Sequence, residues 1–183
     1  MNWIAEQKKK YSLRVFGKKV KKVRFPHDFV DITHAKRIGL IININMFTSK
    51  DLIVMTDYMT RLEDSGKQIL LIELNFKRGT EAMFSDTSNT VFVNPMHISW
   101  LGFPSREALL KINKYESDIL INLDNSNMMT SRYICGLSNA KTRAGFYEEG
   151  YEDFYELMIE APADLKLKSM LAAFEDYLNM LKK

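Results

Sequence analysis

A single α/β domain, with a mostly parallel sheet of five or six strands and helices on both faces, is what three observations predict. The first is residues 117–147. An apolar run at 119–123, with Asn122 inside it, meets the turn-favouring Asp124-Asn125-Ser126-Asn127. Met129, Tyr133 and Leu137 then recur every four residues, one face of a helix. Ser138-Asn139 ends that helix, and 142–146 reads as a second short strand. Strand, turn, helix and strand in this order make the βαβ unit of a parallel sheet. The second observation is a matching unit at 37–75. Residues 37–45, RIGLIININ, suit a strand covered on both faces. Leu52, Met55, Met59 and Leu62 form a helical stripe opposite Asp57, Thr60, Arg61 and Asp64, and 68–75 is the next strand. The third is bulk: 183 residues with 46% hydrophobic and 27% charged side chains suit one soluble domain with a sizeable core.

These readings place a Rossmann-like domain at 26–183, preceded by a basic N-terminal arm at 1–25. Gly17 is expected to break any single long helix in the arm, leaving two short helices or a helix and an extended piece. Pro26-His27-Asp28 reads as the linker. Ser49 is a plausible cap for the helix after the first strand. Residues 76–89 read as irregular, 91–93 as a strand closed by Asn94-Pro95, and Trp100 and Phe103 as side chains packed on the body. Ser105 opens a helix that runs to about Asn113. The acidic run 148–156 reads as a solvated loop, or as a protein contact through Tyr147, Tyr151 and Tyr155. Residues 155–160 suit a last edge strand. Leu167, Met170, Leu171, Phe174, Tyr177, Leu178 and Leu181 give the cleanest helical stripe.

Charge is unevenly spread. Residues 1–25 hold nine basic side chains and Glu6, a net of +8; the remainder holds 17 basic and 22 acidic, a net of −5. Such an arm suits an anionic membrane surface, or is a solvated or body-packed N-terminus. Nucleic acid ranks lower, because the body offers no second basic surface. Cys135 is the only cysteine, so no intramolecular disulfide forms and a reducing cytoplasm fits. No apolar run approaches the roughly 20 residues that span a bilayer. A place on the inner membrane face would therefore be peripheral.

Ligands of open α/β sheets gather at the carboxyl ends of the strands. Two polar turns fall there, and their candidate ligand-binding residues are Asn45, Ser49 and Lys50 in one and Asp124 and Asn125 in the other. No cofactor is expected, since neither glycine-rich phosphate motif occurs. No metal is expected either: His27, His34 and His97 have no ligand spacing. Asp124 at a strand end also suits a phospho-accepting receiver domain. The acidic pair that would hold Mg²⁺ there is replaced by Asn43 and Asn45, and a helix-capping turn is the simpler reading. Cys135 reads as a small packed hydrophobe.

The strand Asp118-Ile119-Leu120-Ile121-Asn122-Leu123, the helix ending near Gly136-Leu137 and the segment Arg143-Ala144-Gly145-Phe146 together resemble the N-terminal domain of family 9 glycosyltransferases, the lipopolysaccharide heptosyltransferases. The resemblance implies that Asp51, at the start of the first helix after the first strand, is the general base toward an acceptor sugar hydroxyl. Lys50 stands where that family has glycine, and 183 residues leave no room for the domain that binds the nucleotide sugar. An acidic residue in a first helical turn is also stabilised by the helix dipole alone. The expected function is therefore a non-catalytic binding or adaptor protein. The alternatives are sugar transfer through Asp51 with a borrowed donor site, or action at an anionic surface through the arm. The chain is further expected to belong to a family of short bacterial proteins with no assigned activity.

Overall fold

The computed structural model describes residues 3–20, 28–77, 87–126 and 128–180. Six strands form one sheet: β1 (Arg37–Asn43), β2 (Gln68–Leu74), β3 (Thr90–Val93), β4 (Ile119–Asn122), β5 (Thr142–Phe146) and β6 (Leu157–Ile159). Their order is β3-β2-β1-β4-β5-β6, and every pairing is parallel. The fold is the Rossmann-like α/β domain that the sequence predicts, and β2, β1, β4 and β5 are the contiguous parallel set. The order reverses between β1 and β4, so the crevice where such folds hold ligands lies at the carboxyl ends of these two strands.

Among the described residues, five α-helices accompany the sheet: α1 (Trp3–Val20), α2 (Ser49–Asp64), α3 (Arg106–Lys114), α4 (Met129–Leu137) and α5 (Leu167–Met180). Alternate strand residues serve the two faces. Ile38, Leu40, Ile42, Ile69, Leu71, Ile119 and Ile121 pack with Met55 and Leu62 of α2 and with Leu171 and Phe174 of α5. Ile41, Leu70, Ile72 and Leu120 pack with Ile112 of α3, Tyr133 and Ile134 of α4, and Phe16 of α1. Each such side chain, once fully buried, contributes about 1.5–3 kcal/mol.

Several local expectations are corrected. Gly17 does not break α1, which is one helix. A helical glycine costs about 1 kcal/mol, and here α1 is held by Ser12 and Phe16, each only 2% exposed. Ser12 Oγ donates to Leu101 O at 2.8 Å and shares a short hydrogen bond with Tyr133 OH. The Phe16 ring stacks on Phe154 at 4.0 Å between centroids. Lys21, Lys22 and Arg24 lie outside the described residues. The run 148–156 is a solvated loop only in part: Glu149, Glu152 and Asp153 are exposed. Tyr151, Phe154 and Tyr155 are core residues, and Glu148 pairs with Arg132 of α4. Phe103 is buried as expected, whereas Trp100 is 70% exposed.

Candidate functional site

The two polar turns at the carboxyl edge of the sheet have different fates. In the first, β1 ends at Asn43, two residues before the expected end. Asn43 Oδ1 accepts from Asn45 N at 3.2 Å and turns the chain into a short 3-10 helix. Asn45 then fastens the neighbouring loop: its Nδ2 donates to Asn75 Oδ1 at 3.1 Å, and its Oδ1 accepts from Phe76 N at 2.8 Å. The cap of α2 is Thr48 rather than Ser49. Thr48 Oγ1 accepts from Asp51 N at 3.3 Å, and Asp51 Oδ2 accepts from Thr48 N at 2.9 Å and from Thr48 Oγ1 at 2.6 Å. This is a reciprocal capping box.

That box bears on Asp51 as a base. The Thr48 hydroxyl, with the Thr48 N–H, holds its carboxyl below the usual carboxylate range. A carboxylate that is a better acid is a weaker general base. Ser49 and Lys50 are exposed on the same turn. The structure does not bring this group together with Asp124 and Asn125 around one cavity: the lining that holds those two contains neither Ser49, Lys50 nor Asp51.

The second turn builds a polar cavity. Asp124 Oδ1 accepts from Ser126 N at 3.0 Å, a local turn rather than a helix cap. The α4 cap is Met128, which makes no side-chain capping bond. A concavity of about 160 Å³ opens here, lined by Asp124, Asn125, Arg132, Phe146, Glu148 and Tyr155 among others. Asp124 is 4% exposed. Its Oδ2 and the Oδ1 of Asn125 are buried with no hydrogen-bond partner among the described residues. Such an orphaned acceptor costs about 1–3 kcal/mol, so two side by side call for a donor.

The rest of the lining is already engaged. Tyr155 OH accepts from Asn122 Nδ2 at 2.8 Å, and Asn122 Oδ1 accepts from Asp124 N at 3.1 Å. Burial pushes the Tyr155 phenol up, so it keeps its proton at neutral pH as a donor. Arg132 pairs with Glu148 and lies 4.4 Å from the Tyr151 ring centroid. Arg132, Glu148 and Tyr155 were missed by sequence reasoning. The available signal was an arginine inside the otherwise uncharged helix MTSRYICGL. Cys135 is fully buried in that helix, and burial pushes its thiol up, which leaves it a protonated packing group.

A family model described as "Family of unknown function (DUF6913)" matches residues 8–181. The chain belongs to the DUF6913 family. No curated protein matches it. Among solved structures, it is similar to the glycosyl transferase family 9 protein from Veillonella parvula DSM 2008, at 13% identity and a TM-score of 0.46. The likeness covers 81% of this chain and 43% of that one, so this chain spans less than half of that protein's length.

In this DUF6913 chain, the Arg143-Ala144-Gly145-Phe146 segment adjoins the cavity: Phe146 lines it and Gly145 lies against the Tyr155 ring. Arg143 is 4% exposed. It donates to Glu156 through Nε at 2.9–3.0 Å and to Gly136 O at 3.1 Å. Gly145 leaves room for Tyr155: a Cβ there would sit 2.4 Å from Tyr155 Cε1. Any side chain at 145 displaces the phenol from the cavity wall.

Proposed function

We propose that the protein is a non-catalytic binding protein that takes a small polyhydroxylated ligand, sugar-like in its chemistry, in the Asp124–Asn125 cavity. The observation that carries this reading is the pair of buried, unpartnered acceptors, Asp124 Oδ2 and Asn125 Oδ1. Adjacent hydroxyls of a polyol donate two O–H groups, and Tyr155 supplies the complementary donor. The volume of about 160 Å³ lies below the ~300–1,000 Å³ usual for drug-sized ligands, which favours a single small polyol over a nucleotide sugar. The absence of catalysis is supported by the commitment of the Asp51 carboxylate to its own helix cap.

Calorimetric titration with a panel of monosaccharides and linear polyols tests the reading. At least one is expected to bind saturably, and Asp124→Asn is expected to weaken it by about 1.5–3 kcal/mol, the cost of losing a hydrogen bond to a charged group. Asp51→Asn is expected to change nothing. Silence across the whole panel removes the polyol reading. Turnover of a nucleotide sugar that Asp51→Asn abolishes in a folded protein replaces it with sugar transfer.

A second reading, association with an anionic membrane surface, is favoured by the outer face of α1. Trp3, Ile4 and Tyr11 are 71%, 68% and 55% exposed there, beside Lys10, Arg14 and Lys18. Among the described residues no helix is long and apolar enough to cross a membrane, so contact through α1 is made from one side. Each Lys or Arg near such a surface contributes about 1 kcal/mol, and inserted apolar side chains add to it. The protein should sediment with phosphatidylserine vesicles at low salt and not with phosphatidylcholine ones. Trp3→Ser with Ile4→Ser should abolish that. Equal sedimentation with both lipids, or by the variant, sinks this reading.

A further inference from the structure

A larger concavity, about 760 Å³, lies across the carboxyl ends of three strands. Phe76 follows β2, Pro95 follows β3 and Met128 follows β4, and all three line it. The loop at 98–102 and the start of α4 line it too, and α1 closes it with Lys8 and Lys9. The volume falls within the ~300–1,000 Å³ of small-molecule sites, and the location is the one where parallel α/β sheets hold ligands.

The lining has a definite chemistry. Its described residues include two lysines and no carboxylate. Neither lysine pairs with an acidic side chain among the described residues; aromatic rings hold both instead. Lys8 Nζ lies 5.6 Å from the Trp100 ring centroid, and Lys9 Nζ lies 5.1 Å from that of Tyr151. An ammonium over a ring face keeps nearly all its capacity to bind an anion, because the ring supplies no formal negative charge. Trp100, 70% exposed, is a flat apolar surface at the same opening. Large exposed aromatic surface beside unneutralised cations matches a ligand with a flat body and a charged tail.

We propose that this cleft binds an aromatic phosphate monoester of mononucleotide size, its ring system on Trp100 and its phosphate between Lys8 and Lys9. The lysines replace the glycine-rich backbone cradle that the sequence lacks. The site is independent of the Asp124–Asn125 cavity, with which its described lining shares no residue.

The test uses the full chain with Trp3→Phe, which leaves Trp100 as the sole tryptophan. Titration with AMP, GMP, CMP and UMP should quench Trp100 saturably for at least one of them. The binding should weaken as salt rises. Adenosine and ribose 5-phosphate, each carrying half of the recognised chemistry, should bind roughly tenfold or more weakly than AMP. Lys8→Met with Lys9→Met should weaken the nucleotide by roughly tenfold or more at unchanged melting temperature, since both side chains are exposed. Asp124→Asn should leave it unchanged, which separates this site from the polyol reading. The proposal is overturned if none of the four nucleotides quenches saturably, if the lysine variant binds as tightly as the parent, or if adenosine matches AMP.

Discussion

Arg143→Met is expected to destabilise the protein by about 3–5 kcal/mol, the cost of leaving one member of a buried ion pair without its partner. The Glu156 side chain is 12% exposed and receives Arg143 through both Nε and Nη2. Burial pulls the Arg143 guanidinium down and the bonds to Glu156 push it up; the sum is a rise, so at Arg143 the contacts with Glu156 outweigh burial. Methionine fills much of the volume but takes the guanidinium contacts from Glu156 and the donor from Gly136 O. At this chain length the loss corresponds to a fall in Tm of roughly 6–20 °C. Arg143→Met with Glu156→Gln should recover part of it. That pair removes the under-compensated charge yet keeps an acceptor for the backbone N of residue 143, which now donates to Glu156 Oε2 at 2.6 Å. Urea unfolding measures both. A single variant within about 1 kcal/mol of the parent, the scale of an exposed pair, would mean that Glu156 reaches water when Arg143 is gone.

The sheet was legible because strands buried on both faces have to be apolar through their middles, and residues 38–42 and 69–72 are. What was not legible lies where side chains meet across layers. The apolar residues of α1 follow no single stripe because the helix touches the body mainly along α4, and only Ser12 and Phe16 are buried. The acidic look of 147–155 came from Glu148, Glu149, Glu152 and Asp153, which hid Tyr151, Phe154 and Tyr155 in the core. The turn Asp124-Asn125 was picked out correctly as polar, at a strand end. Its neighbour Tyr155 reaches it only through the parallel register of β4, β5 and β6, and no local pattern encodes that register. Asp51 shows the converse. The resemblance that made it look catalytic sets it in a first helical turn, where its Oδ2 closes the capping box with Thr48.

Phe16→Ala is expected to cost about 3–5 kcal/mol, the range for emptying a buried phenylalanine site. The ring stacks on Phe154 at 4.0 Å and lies 5.4 Å from Tyr133. It is the main apolar attachment of α1, so part of the loss should appear as release of that helix before global unfolding. Faster amide exchange confined to residues 3–20 would report it. The lysine-lined cleft loses a wall in the same event, so binding there should weaken although Lys8 and Lys9 are unchanged. Gly136→Ala checks the cause independently. Alanine is the better helix former by about 1 kcal/mol, so propensity alone would stabilise α4. The added Cβ, however, would sit 2.5 Å from Phe16 Cζ and 2.9 Å from Phe154 Cδ1. Overpacking of this kind costs about 1–3 kcal/mol, and the sign should follow the clash. With Phe16 already alanine, the nearer of these contacts is gone, so the penalty of Gly136→Ala should shrink and the two effects should fail to add. Strict additivity, or a Gly136→Ala protein more stable than the parent, would show that α1 does not press on α4 at this point.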